Sequence, residues 1–226
     1  MAQHVLLSDP RIAAMPLKEC GEPLVDLREE KIIRVDTRLA DLAGAYAHVR
    51  LSVADRLTAA QTQLPRGLRL LLVEGFRPYT LQESYFVNCM ARMRRAHPGW
   101  TEKRLRTEAG KYVSPPDVAP HVAGGAVDVT LCTADGTELP MGTEVNATPP
   151  EYGEECFTRS PLIPDEARAN RRILIDALTA TGFVNYPTEW WHWSYGDRYW
   201  AFVVGAPHAR FGPATFGNEF SESATR

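Results

Sequence analysis

Leu68-Arg-Leu-Leu-Leu-Val-Glu74, followed by Gly75-Phe-Arg77-Pro78, is the stretch on which the fold turns. A continuous apolar run with Pro65-Arg66-Gly67 before it and Gly75 behind it is most simply a buried strand. Helical spacing appears on both sides. Ser52 to Leu64 places Val53, Leu57, Ala60 and Leu64 on one face, with Ser52 as the N-cap. Tyr79 to Ala96 repeats Leu81, Tyr85, Cys89 and Met93 at intervals of four and stops at His97-Pro98-Gly99. A more polar helix starts at Thr101 and runs to about Lys111. Further out, Ala126 to Cys132 reads as a strand. Pro164 to Thr181 reads as a helix, with Pro near its start and Gly182 just past its end. Two aromatic strands are expected near 190–195 and 199–204, and a short one within Lys31 to Val35. The rest of 1–48 is irregular, 133–163 is a long loop, and 205–226 is loop and tail. Mixed elements without a regular βαβ alternation give an α+β class. No linker divides the chain, so a single domain over 1–226 is expected, with a small central antiparallel sheet flanked by helices.

Composition narrows the function. The 226 residues carry 25 Lys plus Arg against 28 Asp plus Glu, a net charge of −3. A broad nucleic-acid or anionic-membrane surface needs an excess of positive charge, so neither partner is expected. The N-terminus lacks a basic segment followed by an apolar one, and no apolar run is long enough to span a bilayer. Cys20, Cys89, Cys132 and Cys156 form no CxxC pair, which argues against a thiolate zinc site. Reduced, buried thiols in a cytoplasmic protein are the simplest reading.

Three segments carry chemistry. In His121-Val-Ala-Gly-Gly-Ala-Val-Asp128, glycines between a histidine and an aspartate let the two converge on one ion. Asp128 sits between Val127 and Val129, where an unpaired carboxylate is costly. A salt-bridged or turn-capping Asp with a surface His stands as the alternative. In Glu189-Trp-Trp-His192-Trp, bulky rings flank a histidine, and a carboxylate three residues earlier could act as a base. Positions three apart face opposite sides of a regular strand, so Glu189 must enter on a turn or bulge near Pro187. An aromatic core strand with a hydrogen-bonded His is the other reading. In Glu74-Gly-Phe-Arg77-Pro78, the guanidinium is placed to face an oxyanion, or simply pairs with Glu74. Together, His, Asp and His leave a fourth position open, as in a catalytic zinc site.

These three motifs, in this order, resemble those of the zinc D-alanyl-D-alanine dipeptidases of the vancomycin-resistance type, from about Leu51 to Ala201. Ala119-Pro-His121-Val-Ala-Gly124-Gly-Ala126-Val-Asp128 matches S-x-H-x-x-G-x-A-x-D. Glu189-Trp-Trp-His192 matches E-x-x-H, and Glu74-Gly-Phe-Arg77-Pro78 matches [DE]-G-[YF]-R-P. The resemblance implies one Zn2+ ion on the sheet, held by His121, Asp128 and His192. It further implies Glu189 as catalytic base, Arg77 on the developing oxyanion, and a small peptide substrate. Two positions depart from the family. Ala119 stands where the motif has Ser. In Met141-Gly-Thr143-Glu-Val145-Asn146, Asn146 stands where the family's M-G-T-x-F-D has Asp. An amide cannot replace a carboxylate opposite a peptide ammonium, so Ala119, Asn146 and Trp191 are expected at an altered substrate pocket. A peptidoglycan carboxypeptidase or endopeptidase, different chemistry in a biosynthetic pathway, and a non-catalytic zinc-binding module are the competing readings. The last has no need of Glu189 or Arg77.

Overall fold

The computed structural model describes residues 4–29, 31–147 and 152–217. Its helices are α1 (Pro10–Ala13), α2 (Leu51–Gln63), α3 (Tyr79–Ala96), α4 (Glu102–Ala109), α5 (Asp165–Ala180) and α6 (Arg198–Val204). Its strands are β1 (Leu24–Asp26), β2 (Arg34–Val35), β3 (His48–Arg50), β4 (Leu68–Glu74), β5 (Ala126–Thr133), β6 (Val184–Tyr186) and β7 (Glu189–Ser194). The main sheet has the order β2-β4-β5-β7-β6, and β1 pairs with β3 in a separate ribbon. Every pairing in the main sheet is antiparallel except the edge pair β2–β4, which is parallel. The class is α+β.

One face of the sheet is apolar. Leu70 and Leu72 of β4 and Val129 and Leu131 of β5 pack with Val53 and Leu57 of α2 and Leu174 and Leu178 of α5. Fully burying side chains of this kind contributes about 1.5–3 kcal/mol each, which makes this face the main stabilising element of the fold. Beyond it, α3 and α4 form a hairpin with its own cluster of Phe86, Cys89, Met90, Leu105 and Ala109. Strict alternation would put Glu74 on the core face with Leu70 and Leu72. A register shift between Leu72 and Glu74 instead sets Glu74 opposite Asp128. Such a bulge re-aims one side chain without breaking the strand, and here it delivers a carboxylate to the opposite face.

Several expectations need correction. Residues 199–204 form α6, not a strand. The Asp197 side chain caps that helix by accepting from Trp200 N, and Gly205 closes it at φ 67°. Aromatic and β-branched composition suits a strand, but these two caps override it. The start of α2 is not capped by Ser52. Its N–H donates to a Glu22 carboxylate oxygen at 2.9 Å, a partner thirty residues upstream. On α3 the buried side is Gln82, Phe86, Cys89 and Met90, whereas Tyr85 is exposed. The short strand within Lys31 to Val35 shrinks to β2, and 1–48 holds α1, β1 and part of β3 as well. Loop 133–163 contains a 3₁₀ turn, Gly153–Cys156. Residues 148–151 of that loop and 218–226 of the tail lie outside the described residues. Cys20 is exposed, while Cys89, Cys132 and Cys156 are buried, and all four are free thiols. Among the described residues no helix is long and apolar enough to cross a membrane.

Candidate metal centre and cavity

The pairing of the three central strands builds the centre. Glu74 of β4 lies opposite Asp128 of β5, and Asp128 lies opposite His192 of β7. Directly opposed residues of antiparallel strands project from the same face, so the three side chains form one row. His121 joins from a 3₁₀ turn, Pro120–Ala123, that Gly124 ends in the left-handed region at φ 67°. A Cβ there would be strained by its φ and would lie 2.6 Å from Leu24 Cδ2, so glycine is required at this turn.

His121, Asp128 and His192 are 5%, 2% and 2% exposed. Each offers one donor atom, and all three donors lie within 4.8 Å of one another. Asp128 Oδ1 is 3.1 Å from His192 Nδ1 and 3.3 Å from His121 Nε2. The two ring nitrogens face each other at 3.1 Å. His121 Nδ1 is 2.7 Å from the Gly75 carbonyl oxygen, to which it donates. That bond fixes the tautomer and leaves the Nε2 lone pair for the centre. Burial pushes Asp128 upward, but His121 and His192 outweigh it and hold the carboxyl far below the usual range. Burial opposes charge on His121, and Asp128 overcomes it, raising that histidine. Two inward ring nitrogens and a buried carboxylate could share a cation. The donor set, N₂O with a tight spacing, fits a divalent metal ion.

Glu189 stands at the edge of this cluster, with Oε2 4.0 Å from His192 Nδ1 and about a third of its side chain (36%) open to the cavity. Burial raises its pKa to about 7, and Asp128 pushes the same way against the opposing pull of His192 and Arg77. The anticipated irregularity at its position is real. β6 pairs Asn185 with Trp193 and then Tyr186 with Glu189, so 190–192 of β7 have no β6 partner. Asn185 closes the arch by donating from Nδ2 to the carbonyls of Glu189, at 3.1 Å, and His192, at 3.0 Å.

Arg77 pairs with Glu74, the simpler reading of its motif, and also faces the cavity. Its guanidinium donates to both Glu74 carboxylate oxygens and, at 2.6 Å, to Gln82 Oε1, while still lining the cavity. Those bonds use three of its five N–H groups, leaving two. Its backbone N–H donates to the His121 carbonyl at 3.2 Å, which ties the arginine segment to the first donor.

A cavity of about 500 Å3 opens over the centre, lined among others by Arg77, Ala119, Asn146, Glu189 and Trp191. All eight positions singled out in the sequence therefore meet at one place. Ala119 offers no side-chain donor. Trp191 is buried, and its indole N–H has no partner among the described residues. Asn146 is exposed and, among the described residues, is the one non-glycine at positive φ, 64°, a conformation Asn tolerates. Its loop is pinned by Arg171 of α5, which donates to the carbonyls of Met141, Glu155 and Phe157 at 2.7–2.9 Å. Burial lowers the Arg171 pKa to about 10, against smaller opposing pulls from Cys156 and Glu155. Sequence reading missed Gln82, Asn185 and Arg171. None belongs to a motif, and each acts by bonding to backbone or to another site residue.

His121, Asp128 and His192 have the donor types and spacing that could hold a divalent ion, with Glu189 beside them under a cavity of ligand size. The chain belongs to the D-ala-D-ala dipeptidase family of M15 peptidases, whose model matches residues 41–211. It is 26% identical over 224 residues to a D-alanyl-D-alanine dipeptidase of Synechocystis sp., covering 86% of this chain and 90% of that one. It is 30% identical over 153 residues to one from Enterococcus faecium, covering 63% and 69% of the two chains. A solved structure of the LdcB LD-carboxypeptidase superposes with a TM-score of 0.46 at 20% identity, over 83% of this chain and 73% of that one.

Proposed function

We propose that the protein hydrolyses a small peptide of the D-Ala-D-Ala type, using one zinc ion held by His121, Asp128 and His192. The observation that carries this reading is the convergence of three buried donors within 4.8 Å, with Glu189 4.0 Å from one of them. A zinc ion in such a site supplies Lewis acidity, lowering the pKa of water toward about 7 and polarising a carbonyl. Glu189 accepts the proton of the attacking water on its carboxylate and returns it to the leaving nitrogen. A pKa near 7 suits a group that must both take and give a proton near neutral pH. Arg77, fixed by Glu74 and Gln82, turns its two remaining N–H groups to the substrate oxygen as charge develops there. Loss of such a donor typically removes about 2.7–4 kcal/mol of transition-state stabilisation. Trp191 and Ala119 shape the wall against which the peptide lies.

Asn146 favours a substrate other than the free dipeptide. It lines the cavity where the resembling family carries Asp, and an amide gives a substrate ammonium no fixed counter-charge. The experiment is a rate panel on zinc-loaded protein: D-Ala-D-Ala, the other three stereoisomers, and N-acetylated and C-amidated forms. Cleavage by wild type and loss of cleavage with retained zinc in Glu189→Gln are expected. Full activity in that variant would overturn Glu189 as the base, and no cleavage of any peptide would overturn the hydrolase reading. Exclusive cleavage of free D-Ala-D-Ala would overturn the altered specificity.

A further inference from the structure

The cavity does not end at the metal centre. Its wall follows α3 through Gln82, Tyr85 and Asn88 to Arg92. Tyr85, Asn88 and Arg92 are spaced three and four apart and so share one face of the helix. At the near end, Gln82 accepts from Arg77 at 2.6 Å, and Arg77 is bonded to His121. From Gln82 to Arg92 the helix rises about 15 Å. An extended peptide spans that distance in about four to five residues, and in fewer where the long Arg92 side chain reaches back toward the centre.

The charges along the cavity are uneven. Asp128 and Glu189 serve the centre, and Arg77 is balanced by Glu74. The neighbouring Arg94 is paired with Glu102. Arg92 is exposed and has no acidic partner among the described residues. Asn88, one helical turn before it on α3, and Tyr112 and Ser114 in the same lining are neutral. The far end of the cavity therefore presents one uncompensated cation, on a long arm that can fold back toward the centre.

The geometry points to Arg92 as a specificity-determining residue that binds a substrate carboxylate about two to four residues from the scissile bond, with Asn88 and Tyr112 as flanking hydrogen-bond partners. This rests on the peptidase reading and adds that the preferred substrate is an acidic peptide longer than a dipeptide. Arg suits the task, because its planar fork pairs with both carboxylate oxygens. The carboxylate could belong to a chain terminus or to an acidic side chain.

The test uses N-acetylated peptides with a D-Ala-D-Ala core, extended by up to three residues on either side. One added position carries Glu, Gln or Lys, and each peptide is made with a free and an amidated C-terminus. Dissociation constants are measured on the zinc-loaded Glu189→Gln protein, and KM and kcat on the zinc-loaded wild type. At one position, Glu should bind about tenfold more tightly than Gln, with the difference appearing in KM rather than kcat. Adding Arg92→Gln should bring that ratio to about one, and Arg92→Glu should invert it in favour of Lys. If the free C-terminus alone carries the gain, the carboxylate is terminal; if Glu carries it in the amidated series, it is a side chain. A Glu-to-Gln ratio near one at every position, with no gain from a free C-terminus, would overturn the inference. So would a ratio unchanged in zinc-replete Arg92 variants. Absence of cleavage would overturn the hydrolase reading instead, because the binding ratios are read from a protein that need not turn over.

Discussion

Asn185 supports both members of the Glu189–His192 pair without touching either side chain, so its removal tests how the site is positioned. Nδ2 donates to two carbonyls at 3.0 and 3.1 Å, and Oδ1 accepts from Thr158 Oγ1. At about 0.5–1.5 kcal/mol net for each bond, Asn185→Ala should lose about 2–4 kcal/mol. For a chain of this size that is a fall in melting temperature of about 4–16 °C. Asn185→Asp is more diagnostic. It sets a carboxylate against two carbonyl oxygens, exchanging two attractions for two repulsions, and should melt below the alanine variant despite its closer shape. Zinc affinity should fall about 10–100-fold in both, the usual effect of disturbing the support of a metal ligand. Thermal melts with and without zinc, zinc competition titrations and kcat/KM on the best peptide would read all three quantities. An aspartate variant as stable as alanine, or an alanine variant with wild-type zinc affinity, would refute the account of the arch.

Arg77→Ala should cost stability as well as rate, because it strands the Glu74 carboxylate in a buried site at about 3–5 kcal/mol. The double variant Arg77→Met with Glu74→Gln should recover most of the denaturant midpoint and none of the activity, which separates the two roles. Gly125→Ala should destabilise by about 1–3 kcal/mol in a melt, since its Cβ would lie 2.7 Å from the Tyr195 carbonyl oxygen, a backbone atom. Asp41 gives a pH signature. Burial raises its pKa, but N–H donors from Tyr46, Ala45 and Ala43 prevail and hold it below the ordinary aspartate value. Its contribution is therefore full above the unfolded value and lost as pH falls through the folded one. The melting gap between wild type and Asp41→Ala should be constant from about pH 5 to 7 and close below about pH 4.

Much of this was written locally. β4, α3 and β5 are apolar runs or periodic segments bounded by Gly and Pro, and their limits follow from those marks. The candidate donors were legible because a carboxylate among valines and a histidine among tryptophans are unfavourable without a partner. What stayed hidden depends on distant residues. Glu22 caps α2 from another segment, and Asn185 closes an arch in the neighbouring strand. Gln82 is buried because Arg77 occupies its amide oxygen, which also explains why the apolar face of α3 was misplaced. The strand expected at 199–204 is a helix because the Asp197 and Gly205 caps override its strand-like composition.

The row Glu74, Asp128, His192 has a consequence for how the chain acquires its metal. Asp128 and His192 are 64 residues apart in sequence, so a local stretch offers at most the His121–Asp128 pair, and all three donors meet only once β5 and β7 have paired. A slip of one residue between β5 and β7 would turn one donor to the far side of the sheet. Binding would thus serve as a check on folding: a tightly held ion would report that β5 and β7 are paired in register and that the turn carrying His121 has closed beside them, and a misregistered chain would release it.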